Sequence, residues 1–310
     1  MACIPQTLVD PDPVRESISQ IDTDTWLIGP LLLHRSQGPY DTSTWYDPDD
    51  STSYTLSNAP IPPPPSVPLP TDDPKIKLVY DAGDSSAVWS IGYHAFCKVK
   101  IRIPGTTAEA TTLDFVHKQK PDFLLPTTLH ETECRDRYYL FLSRVPGRTL
   151  ERAWPTLDGD WKSHYVNAIV DACKFLECRE GNTLCGVDGK NVLENYLIKN
   201  GAEKDYSPCN LRRACELMGM DCSKFVFYHA DLGPGNIIVE HIPQTGRIGI
   251  IDWEAAGFFP RGWIRTKFRM SSGMDLLDYY KPREWRSRVQ RLLGAHGYEE
   301  YASEFETWWL

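Results

Sequence analysis

Three polar side chains in two short stretches of this chain have types and spacing that chemistry can use. The first stretch is His229-Ala-Asp-Leu-Gly-Pro-Gly-Asn236 and the second is Ile251-Asp-Trp-Glu254. A carboxylate and an amide thus stand five positions apart, and a second carboxylate follows sixteen positions later. Phosphoryl transfer needs one carboxylate to accept or orient the proton of an attacking hydroxyl. It also needs an amide oxygen and a second carboxylate to hold the metal that bridges the nucleotide phosphates. Gly233, Pro234 and Gly235 let the loop turn sharply between its polar ends. Either stretch alone has a plainer reading, His-x-Asp as a surface turn and Ile-Asp-Trp as a strand end. The conjunction of type, order, spacing and patterning is what points to a kinase-type site.

The elements that must position these residues are legible around them. Ile237-Ile-Val-Glu240 and Arg247-Ile-Gly-Ile-Ile251 are strand-like and flank a Pro/Gly turn, so a hairpin returns Asp252 to the edge where Asn236 stands. Upstream, Lys77–Tyr80, Ala87–Ile91 and Ala95–Ile101 read as short strands parted by Gly-containing turns. A helical stretch over Thr107–Gln119 follows, then strand-like Leu124–Leu129 and Tyr138–Ser143. From Asp160 the pattern turns helical. Trp161, Tyr165, Ile169 and Cys173 recur at four-residue spacing, with Asp158 or Asp160 placed to cap. Residues 181–210 read as irregular, and Arg283–Leu293 and Tyr298–Trp309 as helices.

The reading divides the chain into an N-terminal extension (1–58), a Pro-rich linker (59–74), an N-lobe (75–145) and a C-lobe (146–310). Of the 24 prolines 14 precede residue 75, four of them in the run Pro62–Pro65, which predicts an extended connector. The extension offers a short helix near Val14–Ile21 and an apolar patch, Trp26–Leu33, able to pack on the rest.

These residues resemble the aminoglycoside phosphotransferase/choline kinase-like family of the protein-kinase-like superfamily, most closely its fungal-type members. The resemblance runs from about Lys77 to the C-terminal helices and includes Leu142-Ser-Arg-Val-Pro-Gly-Arg-Thr-Leu150. It implies an α+β, two-lobed kinase-like fold, with a small mainly-β N-lobe carrying one helix and a larger, mainly helical C-lobe. The implied co-substrate is ATP, and the implied metal is Mg²⁺. Residue by residue, the match implies Asp231 as catalytic base, with His229 bracing its loop, and Asn236 and Asp252 as the Mg²⁺ ligands. It places the phosphate-pairing lysine at Lys98, with Lys100 on the same strand face as the alternative register, and its partner at Glu109. The alternative for Glu109 is a solvated first-turn acid. The family usually has Gly where Ala230 stands.

The nucleotide loop departs from Gly-x-Gly-x-x-Gly. Here Asp81-Ala-Gly-Asp-Ser-Ser86 would cover the phosphates with Gly83, backbone amides and the hydroxyls of Ser85 and Ser86. The segment from Ser143 to Val145 would supply backbone hydrogen bonds to the adenine. Trp253 reads as core packing, while Glu254 is a candidate for the metal or substrate site. Asp275 and Asp278 are candidates for contacting a cationic acceptor, against a plainer reading as helix-surface carboxylates.

A protein kinase would carry His-Arg-Asp, Asp-Phe-Gly and a long activation segment ending in Ala-Pro-Glu, and none is present. The predicted activity is therefore ATP-dependent phosphorylation of a hydroxyl on a small molecule such as an amino-alcohol, amino-sugar or secondary metabolite. The competing readings are a kinase-like binding module with weak catalysis and an atypical protein kinase. Net charge of −9 and pI near 5.4 disfavour nucleic acid as a partner. No apolar run approaches the roughly 20 residues a membrane helix needs, and the start lacks a secretory pattern, so a cytoplasmic location is expected. The nine cysteines form no Cys-x-x-Cys pair, which argues for reduced, packed thiols.

Overall fold

The computed structural model describes residues 13–277 and 279–310 and separates into two compact units. One holds residues up to 103 together with 127–144; the other holds 104–126 and 145–310.

The first unit contains two antiparallel sheets. Strands β1 (Ile18–Asp22), β2 (Thr25–Ile28), β3 (Leu31–Gln37), β4 (Trp45–Asp47), β5 (Thr52–Asn58) and β6 (Val67–Pro68) form one, in the order β4-β5-β3-β2-β1-β6. Strands β7 (Ile76–Asp81), β8 (Ser86–Ile91), β9 (Ala95–Ile101), β10 (Thr128–Cys134) and β11 (Arg137–Ser143) form the other, in the order β10-β11-β9-β8-β7. Alternation of buried and half-buried residues along β8 and β9 gives each strand one core face. Trp26, Leu33 and Tyr54 from the first sheet share a single core with Trp89, Val99 and Phe141 from the second. The apolar patch Trp26–Leu33 thus becomes two paired strands joined at Gly29, whose φ of +55° is left-handed. A Cβ there would stand 2.3 Å from the Tyr139 ring.

Two expectations for this region need correction. The helix expected near Val14–Ile21 is a single 3₁₀ turn, Val14–Glu16, closed by the Ser17 hydroxyl donating to the Val14 carbonyl at 2.6 Å. Ile18 then pairs across to Ile28, because cross-strand partners outweigh the four-residue spacing of Val14 and Ile18. The strand expected over Leu124–Leu129 starts only at Thr128; Pro126 has no N–H to give a ladder. Leu124 makes instead an isolated bridge to Gly249.

In the second unit the elements are α1 (Glu109–Lys118), β12 (Arg148–Thr149), α2 (Leu150–Ala153), α3 (Gly159–Glu177), β13 (Glu180–Gly181) and α4 (Pro208–Leu217). They are followed by β14 (Phe225–Tyr228), β15 (Ile237–Val239), β16 (Ile248–Ile250), β17 (Gly257–Phe259), α5 (Arg261–Met270), α6 (Glu284–Ala295) and α7 (Ala302–Trp309). Asp158 caps α3, its carboxylate accepting from Trp161 N–H at 2.8 Å. Helix α3 buries Tyr165, Ile169, Cys173 and Leu176. Helix α1, grouped by the sequence with the nucleotide-binding strands, falls in this unit, where Phe115 packs on Phe227 at 5.0 Å between ring centroids. Among the described residues no helix is long and apolar enough to cross a membrane.

Candidate active site

Strand β14 is buried along its whole length and delivers the chain into the loop 229–236. The loop is built on His229, which is fully buried. Its Nε2 donates to the Ile251 carbonyl at 3.0 Å and its Nδ1 accepts from the Asp231 N–H at 3.3 Å. That pattern is the neutral Nε2–H tautomer. Ring contact with Trp253 at 4.6 Å fixes the imidazole from the side.

The three residues singled out from the sequence converge here. The Asn236 side-chain N–H₂ donates to the Asp231 carbonyl oxygen at 2.9 Å and to its Oδ2 at 3.0 Å. With the amide nitrogen so engaged, the amide oxygen is the end able to bind a cation. Hairpin β15–β16 pairs Ile237 with Ile250, and the Ile251 N–H donates to the Asn236 carbonyl at 3.0 Å. Asp252 follows at once, in the left-handed region with φ +64° and ψ +64°. Asp is among the residues that tolerate this conformation, and such positions recur at functional sites.

Burial pushes the Asp231 carboxyl above its ordinary value. The Lys267 ammonium opposes the shift, the Asp252 and Glu194 carboxylates add to it, and the Asn236 hydrogen bond opposes it. Lys267 and Glu194 were not singled out from the sequence. They form a buried pair, with Nζ 2.6 Å from both carboxylate oxygens. Glu194 also accepts from Trp263 Nε1 at 3.2 Å and from Tyr196 N–H at 3.0 Å. The available signal was a lysine on the apolar face of α5, one turn after Trp263 and flanked by Ile264 and Phe268.

Glu109 is fully buried rather than solvated. Its Oε1 accepts from the Trp253 N–H at 3.1 Å, and its carboxylate gathers with those of Asp252 and Glu254, all three offering oxygens within 4.8 Å of one another. Glu254 thus stands beside Asp252. Trp253 is buried, stacked at 6.2 Å on Phe123 and at 6.4 Å on Phe227. Val145 is buried against the space left by Gly249. Asp275 lies on a turn and pairs with Arg286, a buried side chain that also donates to the Phe268 carbonyl at 3.2 Å. Arg286 thus ties the end of α5 to α6, and its ion pair uses the carboxylate the sequence offered to an acceptor. Asp278 lies outside the described residues.

Within the first unit, Lys98 lies on the central strand β9 opposite Leu140, on the same face as Lys100. Lys100 holds its ammonium 5.9 Å from the Tyr138 ring centroid. Gly83 turns the β7–β8 hairpin with φ +66° and donates its N–H to Asp81 Oδ1 at 2.8 Å. The Ser85 hydroxyl donates to the Ala82 carbonyl at 2.9 Å, and Ser86 opens β8. The Ser143 N–H donates to the Thr127 carbonyl at 2.9 Å and the Arg144 N–H to the His94 carbonyl at 2.7 Å, so the backbone donors at both positions are engaged within the unit.

A family described as a phosphotransferase enzyme family (APH) matches residues 100–263, just over half of the chain. Among solved structures, the chain is similar to an aminoglycoside phosphotransferase APH(3'')-Id from Streptomyces rimosus. Identity is 16% over 75% of this chain and 90% of that one, with a TM-score of 0.51. It is also similar to a thermostable mutant of APH(4)-Ia, in complex with AMP-PNP and hygromycin B. There identity is 14% over 72% of this chain and 78% of that one, with a TM-score of 0.49. No curated protein matches the sequence. The α+β architecture is therefore the kinase-like fold of the aminoglycoside phosphotransferases.

Proposed function

This chain belongs to the APH phosphotransferase enzyme family, and we propose that within it the protein transfers the γ-phosphate of ATP to a hydroxyl group of a small molecule. The observation that carries the reading is the Asp231–Asn236 hydrogen bond at 3.0 Å, in a loop tied to the residue before Asp252. One carboxylate is thereby oriented and made more basic by burial, while a second carboxylate and an amide oxygen remain as hard donors.

In the proposed reaction Asp231 takes the proton of the acceptor hydroxyl as its oxygen bonds to the γ-phosphorus. The bond from the γ-phosphorus to the β–γ bridging oxygen breaks, and ADP leaves with that electron pair. Asn236 and Asp252 fit a Mg²⁺ ion by their donor chemistry, and such an ion supplies charge neutralisation to the phosphates. His229 holds Asp231 in place through the backbone, so its part is positioning. Lys98 and the Gly83–Ser86 turn are assigned to the nucleotide phosphates. Carbonyls of the Ser143–Val145 segment are assigned to the adenine, because N–H groups at 143 and 144 are already used. Glu254, whose carboxylate lies beside that of Asp252, would be a further donor available to such an ion.

The test is ADP release from Mg·ATP against a panel of metabolite alcohols, with mass detection of the added phosphate. Asp231→Asn should lower kcat by roughly 10³-fold or more while nucleotide affinity survives, since positioning and charge dominate this reaction. Turnover by that variant at the parent rate would remove Asp231 from the role of base. Phosphorylation of generic protein substrates with silence on the alcohols would move the acceptor to another class.

A further inference from the structure

The part of the second unit that borders the catalytic loop says what kind of acceptor it fits. A cavity of about 600 Å³ opens where the 3₁₀ turn Asn195–Leu197, the end of α5 and helix α7 meet, within the range of small-molecule sites. Tyr196, Phe305 and Trp309 present rings to it, Met270 and Leu310 add apolar surface, and Glu306 supplies the one carboxylate side chain among the described lining residues. Phe305 and Trp309 lie nearly parallel, 6.2 Å apart with 19° between planes, and Tyr196 meets Phe305 at 6.3 Å.

Two polar contacts hold Tyr196 in the wall. The Lys267 ammonium sits 4.2 Å from the Tyr196 ring centroid, and the Ser271 hydroxyl donates to the Tyr196 Oη at 3.3 Å. The cavity is one residue along the chain from a contact with the 229–236 loop. Ser272 lines it, and the next residue approaches the catalytic loop so closely that a Cβ on Gly233 would lie 3.1 Å from the Gly273 carbonyl oxygen. Glu194 and Lys267, whose charges act on Asp231, directly precede Asn195 and sit one turn before Met270. Being buried and paired with each other, they present no free charge to an acceptor.

A polyaminated sugar carries several ammonium groups, and each one taken from water needs an anionic partner. The carboxylate of Glu306 satisfies one ammonium. Three rings and a thioether instead reward flat apolar surface, and a single cation can lie over a ring face. We propose that the acceptor is an alcohol borne on a flat, mainly apolar body, aromatic or fused-ring, with at most one amine. Its body is gripped by Tyr196, Phe305 and Trp309, and its amine, where present, by Glu306. This inference rests on the reading of the chain as a small-molecule phosphotransferase.

The experiment pairs calorimetric binding with ADP release, using the full chain with Mg·ATP or its non-hydrolysable analogue. The probes are 2-naphthylethanol, phenylalaninol, and the aminoglycosides streptomycin and gentamicin. The aromatic alcohols should bind at least about tenfold more tightly than either aminoglycoside and should stimulate ADP release. Trp309→Ala, at a partly buried position, should weaken both aromatic probes by on the order of tenfold. Glu306→Gln should weaken phenylalaninol and leave 2-naphthylethanol unchanged. Tighter aminoglycoside binding, no aromatic binding, or aromatic affinity indifferent to Trp309→Ala overturns the proposal. Turnover with aminoglycosides alone would overturn it while phosphoryl transfer stands. Aromatic binding with no ADP release from any alcohol would overturn the phosphotransferase reading and leave the cavity's chemistry in place.

Discussion

Removing the ammonium of Lys267 should do two separable things, because its charge serves both the fold and the proposed base. The side chains of Lys267 and Glu194 are only 5% and 1% exposed, so Lys267→Met leaves a carboxylate buried without its counter-ion. Losing one partner of a buried pair typically costs about 3–5 kcal/mol. Glu194 keeps two donors, Trp263 Nε1 and the Tyr196 N–H, which places the expected loss near the lower end, about 3 kcal/mol. Replacing Glu194 as well, in Glu194→Gln/Lys267→Met, removes the stranded charge and keeps an acceptor for both donors. The double variant should return to within about 1 kcal/mol of the parent, since neutral replacements of buried pairs are often tolerated.

Urea denaturation followed by tryptophan fluorescence reads the stability, with the midpoint and slope compared across the three proteins. The second readout is the acid limb of kcat/KM. Asp231 must be ionised to act as base, the Lys267 cation favours that ionised form, and the Glu194 anion disfavours it. Lys267→Met should therefore move the limb to higher pH, and the double variant should move it back. A single variant that loses less than about 1 kcal/mol, or a limb that does not move, would refute the reasoning.

Three other outcomes follow from the same geometry. Asp231 has a raised pKa in the folded chain, so folding binds its proton and the associated stability is lost as pH rises through that value. Asp231→Asn should accordingly raise the urea midpoint at pH 7 and leave it unchanged at pH 3, while lowering kcat by roughly 10³-fold or more. Gly147 has φ of +128°, and a Cβ there would lie 2.3 Å from the Val239 carbonyl oxygen, so Gly147→Ala should destabilise by more than about 2 kcal/mol in the same denaturation assay. Tyr228 is fully buried and its hydroxyl lacks a hydrogen-bond partner among the described residues. Tyr228→Phe should be neutral or stabilising by up to about 1 kcal/mol, read as a shift in thermal midpoint.

What the sequence made legible was local or short in range. The 229–236 loop, its hairpin and the residue after it span 24 positions, and their hydrogen bonds join residues that loop and turn chemistry already bring together. The Asp158 cap was readable for the same reason. The Lys267–Glu194 pair was not, since 73 positions separate its members and each alone looks like an ordinary surface charge. Glu109 illustrates the same limit: a first-turn helix acid gives no sign of the Trp253 N–H waiting 144 residues away. Proline content disguised the first sheet, whose strands are short and whose sixth member is only Val67–Pro68. Pairing of Gln20 with Val67, 47 positions on, gives a short strand to a stretch whose composition reads as a connector.

Ala230 shows how a left-handed residue other than glycine can be absorbed. Its φ is +61°, and that region costs an L-residue about 1–2 kcal/mol. The methyl is fully buried, which contributes about 0.8 kcal/mol. Alanine also narrows the unfolded ensemble relative to glycine, worth about 0.4–1 kcal/mol. Those two gains sum to about 1.2–1.8 kcal/mol and nearly cancel the strain. The loop's shape must then come from something other than a permissive residue. Two hydrogen bonds from the Asp231 N–H, to the His229 carbonyl at 2.8 Å and to its imidazole at 3.3 Å, supply it. Asp231 is aimed by the buried histidine two residues before it, and the residue between them needs only to be small.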